Sequence, residues 1–208
     1  MSLITTWGYT ITDAYALEPM LSEEDFNALT ANKYAGDARI APNLKAACAA
    51  IRNWCGWHVY PAQACTMTER LLAGNGRVKR VGPDLLIQLP ATFASVPASV
   101  TIDGVPFDDY DIEPNGILRL FDVGPLSRKA QVTVTYTAGL SDGMMDGIKE
   151  LIAHRVTNAL ASSAGIQSES AGGVSVTYSA NWINSARSTA LPDDNKEVLA
   201  PYRVRGVF

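Results

Sequence analysis

The sequence predicts an α+β fold: a helical core of three to four helices with a small antiparallel β barrel or sandwich inserted into it. Three observations carry this. Apolar residues recur at the three-four spacing of a helix before residue 62 and again after residue 140. Between those points the period falls to two. Two turn signals, Asp103-Gly104 and Pro114-Asn115-Gly116, interrupt the alternating runs. The division that follows is an N-terminal arm with helices of the α core at 1–62, the β insertion at 63–140, and further helices, a loop and a tail at 141–208.

Residues 1–20 show no sustained period and read as an extended arm that orders on a neighbour. Ser22-x-x-Asp25 resembles a capping box, with Phe26 and Leu29 as the apolar contacts of a short helix. The clearest helix begins after Pro42, a first-turn position where a missing N–H costs nothing. Leu44, Ala47, Cys48, Ile51 and Cys55 draw one stripe down it, Gly56 ends it, and Pro61 prevents continuation.

In the β region, Leu85, Ile87 and Leu89 alternate, and Val132, Val134 and Tyr136, alternating with three threonines, mark the cleanest strand. Val100 and Ile102 enter the Asp103-Gly104 turn, with Val105 and Phe107 returning from it. After Gly139, Ile148, Leu151, Ile152, Val156 and Ala159 mark a helix over 144–162, with Arg155 inside its stripe by angle. Residues 162–173 read as a mobile loop, Val174, Val176 and Tyr178 as a short strand, and Pro192 as the start of a last helix.

Composition narrows the function. The 208 residues, 47% hydrophobic and 18% charged, suit a globular chain with a real core. A net charge of −4 argues against a dedicated nucleic-acid binder. No apolar run is long enough to span a membrane, and the N-terminus lacks the features of a signal peptide. Cys48, Cys55 and Cys65 read as buried small hydrophobes in a reducing compartment.

Reactive motifs are absent. Neither His58 nor His154 lies at metal-ligand spacing, and both read as surface or capping residues. There is no nucleophile elbow and no phosphate-binding loop. No cofactor or metal is expected. Asp103, Asp108, Asp109, Asp111 and Glu113 cluster without a cation-site spacing and read as a solvated hairpin. Arg77, Lys79 and Arg80, with Arg70, form the dense basic run, read either as a polar hairpin tip or as a contact with DNA or an acidic partner. Trp7 and Trp182 sit in irregular segments and are interface candidates.

Four stretches together resemble the head–tail connector, or adaptor, proteins of long-tailed bacteriophages: LKAACAAIRNWCGWHVYP (44–61), LPATFASVPASVTIDGVPFDDYDIEPNGILRL (89–120), VTVTYTAGL with its following helix (132–160), and GIQSESAGGVSVTY with the closing LAPYR (165–178 and 199–203). The resemblance implies a structural virion protein, not an enzyme, assembled in the host cytoplasm. It would form a ring, commonly of about twelve copies, with the isolated chain able to stay monomeric. The implied partners are the portal protein above, a stopper or tail-completion protein below, and genomic DNA only in transit. No membrane is involved. Tyr202, Arg203, Arg205 and Phe208 would meet the portal. Trp7, Tyr9, Arg155 and Trp182 would lie between subunits. A stopper or tail-completion role in the same connector is the alternative. A hydrolase or carbohydrate-binding module, its pocket lined by Phe93, Phe107 and Tyr110, is the reading from a different class.

Overall fold

The computed structural model of the chain describes residues 3–12, 17, 19–71, 76–113, 115–161, 168–171, 174–177 and 191–204. The chain divides into two compact units. Unit 1 comprises Met1–Leu17, Cys55–Asp142 and Tyr202–Phe208, and unit 2 comprises Glu18–Trp54 and Gly143–Pro201.

Unit 1 is built from antiparallel sheets. Strands β1 (Leu3–Ile4), β2 (Thr10–Ile11), β3 (Gln63–Arg70), β6 (Ser99–Ile102), β7 (Val105–Pro106) and β10 (Gln131–Ala138) make a six-stranded sheet in the order β1-β2-β3-β10-β6-β7. Strands β4 (Val78–Val81), β5 (Asp84–Gln88), β8 (Tyr110–Ile112) and β9 (Ile117–Leu120) make a second sheet in the order β4-β5-β9-β8. The β6–β7 turn takes the form its sequence predicts: Asp103 and Gly104 both have positive φ, 51° and 81°.

Each sheet buries one face. In the larger sheet Ile11, Cys65, Met67, Val132, Val134 and Tyr136 point inward. In the smaller, Leu85, Ile87, Leu118 and Leu120 do the same. Burying each large aliphatic contributes about 1.5–3 kcal/mol. The other face of the larger sheet carries hydroxyls in two cross-strand rows, Thr10–Thr66–Thr135–Ser99 and Thr68–Thr133–Thr101. β-Branched threonine suits this partly solvated pleat.

Unit 2 holds α1 (Glu23–Leu29), α2 (Ile40–Cys55) up to Trp54, α3 (Asp146–Ala161), α4 (Asp193–Leu199), and the hairpin of β11 (Ser168–Ala171) with β12 (Val174–Thr177). Ser22 caps α1, its Oγ accepting from Asp25 N–H at 3.0 Å. Helix α2 starts at Ile40, so Pro42 still falls in the first turn, and Leu44, Ala47, Cys48 and Ile51 form its buried stripe. Helix α3 packs on α1 and α4 through a buried face that includes Ile148, Ile152, Val156 and Leu160.

This corrects the predicted fold class. The chain is strand-rich rather than a helical core with a small insertion: the described residues form four α-helices and twelve strands. Among the described residues no barrel closes, because β1 and β7 remain the edges of one sheet and β4 and β8 the edges of the other. Two physical reasons explain the difference. The N-terminal residues 3–4 and 10–11 form a hairpin whose β2 pairs with β3, and two-residue strands are too short to display a period. Helices α1 and α4 have seven residues each, too few to organise a core on their own.

Candidate functional site

The most heavily engaged segment of unit 1 is the helix exit Cys55-Gly56-Trp57-His58-Val59-Tyr60-Pro61. Trp57, His58 and Val59 are fully buried. The Nε2 atom of His58 lies 3.0 Å from the Pro61 carbonyl oxygen and 2.9 Å from that of Ala138, at the end of β10. Two carbonyls require a donor there, so Nε2 carries the hydrogen. Its Nδ1 shares a hydrogen bond of 2.7 Å with the Tyr9 hydroxyl, while the His58 backbone N–H donates to the same hydroxyl oxygen at 3.0 Å. The imidazole is thus oriented from both sides and committed to holding backbone.

Val59 has φ 67°, and Tyr60 N–H donates to the His58 carbonyl at 2.8 Å, which closes a three-residue turn around it. A β-branched residue in that region costs about 1–3 kcal/mol. The surrounding bonds hold it there: Leu140 N–H donates to the Val59 carbonyl at 2.8 Å, and the Tyr60 hydroxyl donates to Asp142 at 2.6 Å. Gly139 (φ 137°) permits the close approach, since a Cβ there would lie 2.3 Å from Ala62 Cα and 2.4 Å from the Pro61 oxygen.

The same exit fastens the C-terminal segment. The Trp57 indole N–H donates to the Tyr202 carbonyl at 2.6 Å, and Val204 N–H donates to the Cys55 carbonyl at 2.9 Å. The Tyr202 ring lies 5.8 Å from that of Phe93, a bulky residue also held at positive φ, 55°. Three separate pieces of chain (the N-terminal hairpin, the end of β10, and residues 202–204) therefore meet on one short stretch.

Burial controls the titratable groups within each unit. It pushes the Cys55 and Cys65 thiols up to about 12 and raises Cys48 as well, so none of the three is a thiolate at neutral pH. Burial, and then neighbouring Cys65 and Tyr9, raise the Tyr136 phenol, whose hydroxyl has no hydrogen-bond partner among the described residues. Among those residues no group of three His, Cys, Asp or Glu side chains is placed to hold a metal ion.

The predicted site residues fall as follows. Tyr9, expected between subunits, is buried within unit 1, and Trp7 stacks on it at 6.3 Å while staying half-exposed. Arg155 is buried in unit 2, where desolvation lowers its pKa. Tyr202 is half-buried and Arg203 exposed. Trp182, Arg205 and Phe208 lie outside the described residues, as does most of the predicted 162–173 loop.

The basic run does not act as one patch. The Arg77 guanidinium folds over the N-terminal hairpin and donates to the Trp7 carbonyl at 3.0 Å. Lys79 and Arg80 occupy the edge strand β4 on opposite faces, and Arg80 donates to the Val123 carbonyl. Of the acidic residues, Asp111 sits on the opposite edge strand β8, and Glu113 pairs with Arg119 at 3.5 Å. His154 is exposed, as expected of a surface residue. His58, read from the sequence as a surface or capping residue, is instead fully buried, and its local signal was the aromatic run that follows the helix-ending Gly56. Among family models and curated proteins, no match to this chain was found.

Proposed function

We propose that the chain is a structural subunit of a tailed-bacteriophage head–tail connector, one copy of a ring that sits beneath the portal and lets the genome pass. The observation that carries this reading is the fate of Cys55–Pro61, the most distinctive stretch of the resemblance. Its side chains tie distant backbone together: His58 holds the N-terminal hairpin and the end of β10, and Trp57 holds the C-terminal segment. A scaffold that must carry load between two assemblies needs such fastening. A reaction centre would instead need a nucleophile and base facing a substrate.

The electrostatics are compatible with a conduit. A net charge of −4 disfavours a tight grip on the genome as it slides. The test is cryo-electron microscopy of the full chain bound to purified portal. The reading requires an added ring of density coaxial with the portal. Portal particles without extra density at saturating protein would end it.

A further inference from the structure

The four-stranded sheet of unit 1 carries opposite charge on its two edges. At one edge β4 presents Lys79, and at the other β8 presents Asp111. These residues end the same cross-strand row, Lys79–Leu86–Arg119–Asp111, and so lie on the same face of the sheet. Asp108 and Asp109, both exposed, precede β8, and Arg80 adds a second cation on β4.

The backbone of the two edges matches as well. Gln88 N–H donates to the Arg77 carbonyl, which sets the alternation along β4 and turns the N–H and C=O of Val78 and Arg80 toward the edge that no described strand pairs. Glu113 N–H donates to the Ile117 carbonyl and Phe121 N–H to that of Asp109, so Tyr110 and Ile112 are the outward residues of β8. Every pairing in the sheet is antiparallel, so β4 and β8 run in opposite directions.

From this the geometry points to a contact between copies of the chain, in which β8 of one copy adds to β4 of the next. The addition is antiparallel and keeps the parity of the rows. Arg80 and Val78 of that next copy exchange backbone hydrogen bonds with Tyr110 and Ile112, and Lys79 stands directly across from Asp111, whose carboxylate accepts from the Ile112 N–H at 2.8 Å within one chain and gives up that bond for the lysine when the strands join. A lysine on an edge strand ordinarily repels a second edge. Here it meets an acid, so the device excludes other edges and admits this one. The contact is head-to-tail, which is the kind that closes into rings.

Strands of three and four residues bury less than the roughly 1,000 Å² typical of a stable interface. Free copies would therefore associate weakly, and further contacts or a template would hold the ring. The inference deepens the connector reading and rests on it for closure of the ring, but the edge pairing is tested without a portal.

Full-length Lys79→Glu and Asp111→Lys variants each place like charges across the contact, whereas their mixture restores opposite charges at both edges. Sedimentation velocity should show each variant less associated than the wild type, with recovery on equimolar mixing. For association too weak to sediment, Lys79→Cys and Asp111→Cys variants mixed under oxidation should give a 79–111 cross-linked dimer, and the double variant a ladder. The native cysteines are buried. No 79–111 link, with circular dichroism unchanged, overturns the proposal. If the link is absent but a ring still forms on the portal, the contact lies elsewhere. If the link forms but no ring appears, the connector reading falls and the contact stands.

Discussion

Tyr9 and His58 meet across 49 residues of chain. Nothing local in the sequence distinguishes a histidine destined for that pairing from one at a surface, because its partners Tyr9 and Ala138 come from distant segments. The cost of breaking the pair follows from burial. Tyr9→Phe leaves the His58 Nδ1 and backbone N–H without this partner in a dry site, which should cost about 1–3 kcal/mol of stability. Urea unfolding measures this, and a loss below about half a kcal/mol would remove His58 from its role as fastener.

The thiols make a second residue-scale prediction. Cys55 and Cys65 titrate near 9.0 when unfolded and near about 12 when folded, because burial disfavours the thiolate. In that window the unfolded state holds fewer protons, so stability falls as pH rises from about 9 toward 12. Tyr136, also raised, steepens the same loss above about pH 10. Urea midpoints across this range should decline, and the slope should flatten in the Cys55→Ala, Cys65→Ala double variant. An equal slope in both proteins would contradict the assignment.

Elements were legible where one short window contained the whole signal. Ser22 and Asp25 announce α1, the stripe from Leu44 to Ile51 announces α2, and Asp103-Gly104 announces the β6–β7 turn. The N-terminal strands were not legible, since their order comes from β3, more than fifty residues away. Gly139 belongs at this scale because it sets how closely the end of β10 approaches Pro61 and Ala62. Gly139→Ala combines a positive φ with a backbone clash and should destabilise by more than about 2 kcal/mol. Gly143→Ala, where an added Cβ meets nothing within 4 Å, should change stability by less than about 0.5 kcal/mol. Thermal melts that fail to separate the two variants would refute the close-approach account.

At the scale of the whole molecule, strand content was underestimated because β1 and β2, within the residues read as an arm, and β11, within those read as a loop, lie outside the region of period two. The candidate site was legible only in part. The resemblance drew attention to 44–61 and to the C-terminal segment, but which of their residues face inward depended on contacts that no spacing encodes. Charge placed on opposite sheet edges also predicts how assembly responds to its medium. Association between copies should weaken as sodium chloride rises from about 0.05 to 0.5 M, where the screening length shrinks. Light scattering that is indifferent to salt would argue for an apolar contact instead.

Strand β10 counts its residues in twos. Val132, Val134, Tyr136 and Ala138 face the interior while Thr133, Thr135 and Thr137 face out, and β3 and β6 are keyed to that parity. Deleting one residue midway along the strand would turn valines to water and threonines inward over the rest of its length. Exchanging one threonine for serine or valine would leave the count intact. Tolerance here should thus follow frame rather than chemistry, with wide latitude for substitution beside almost none for a single-residue deletion.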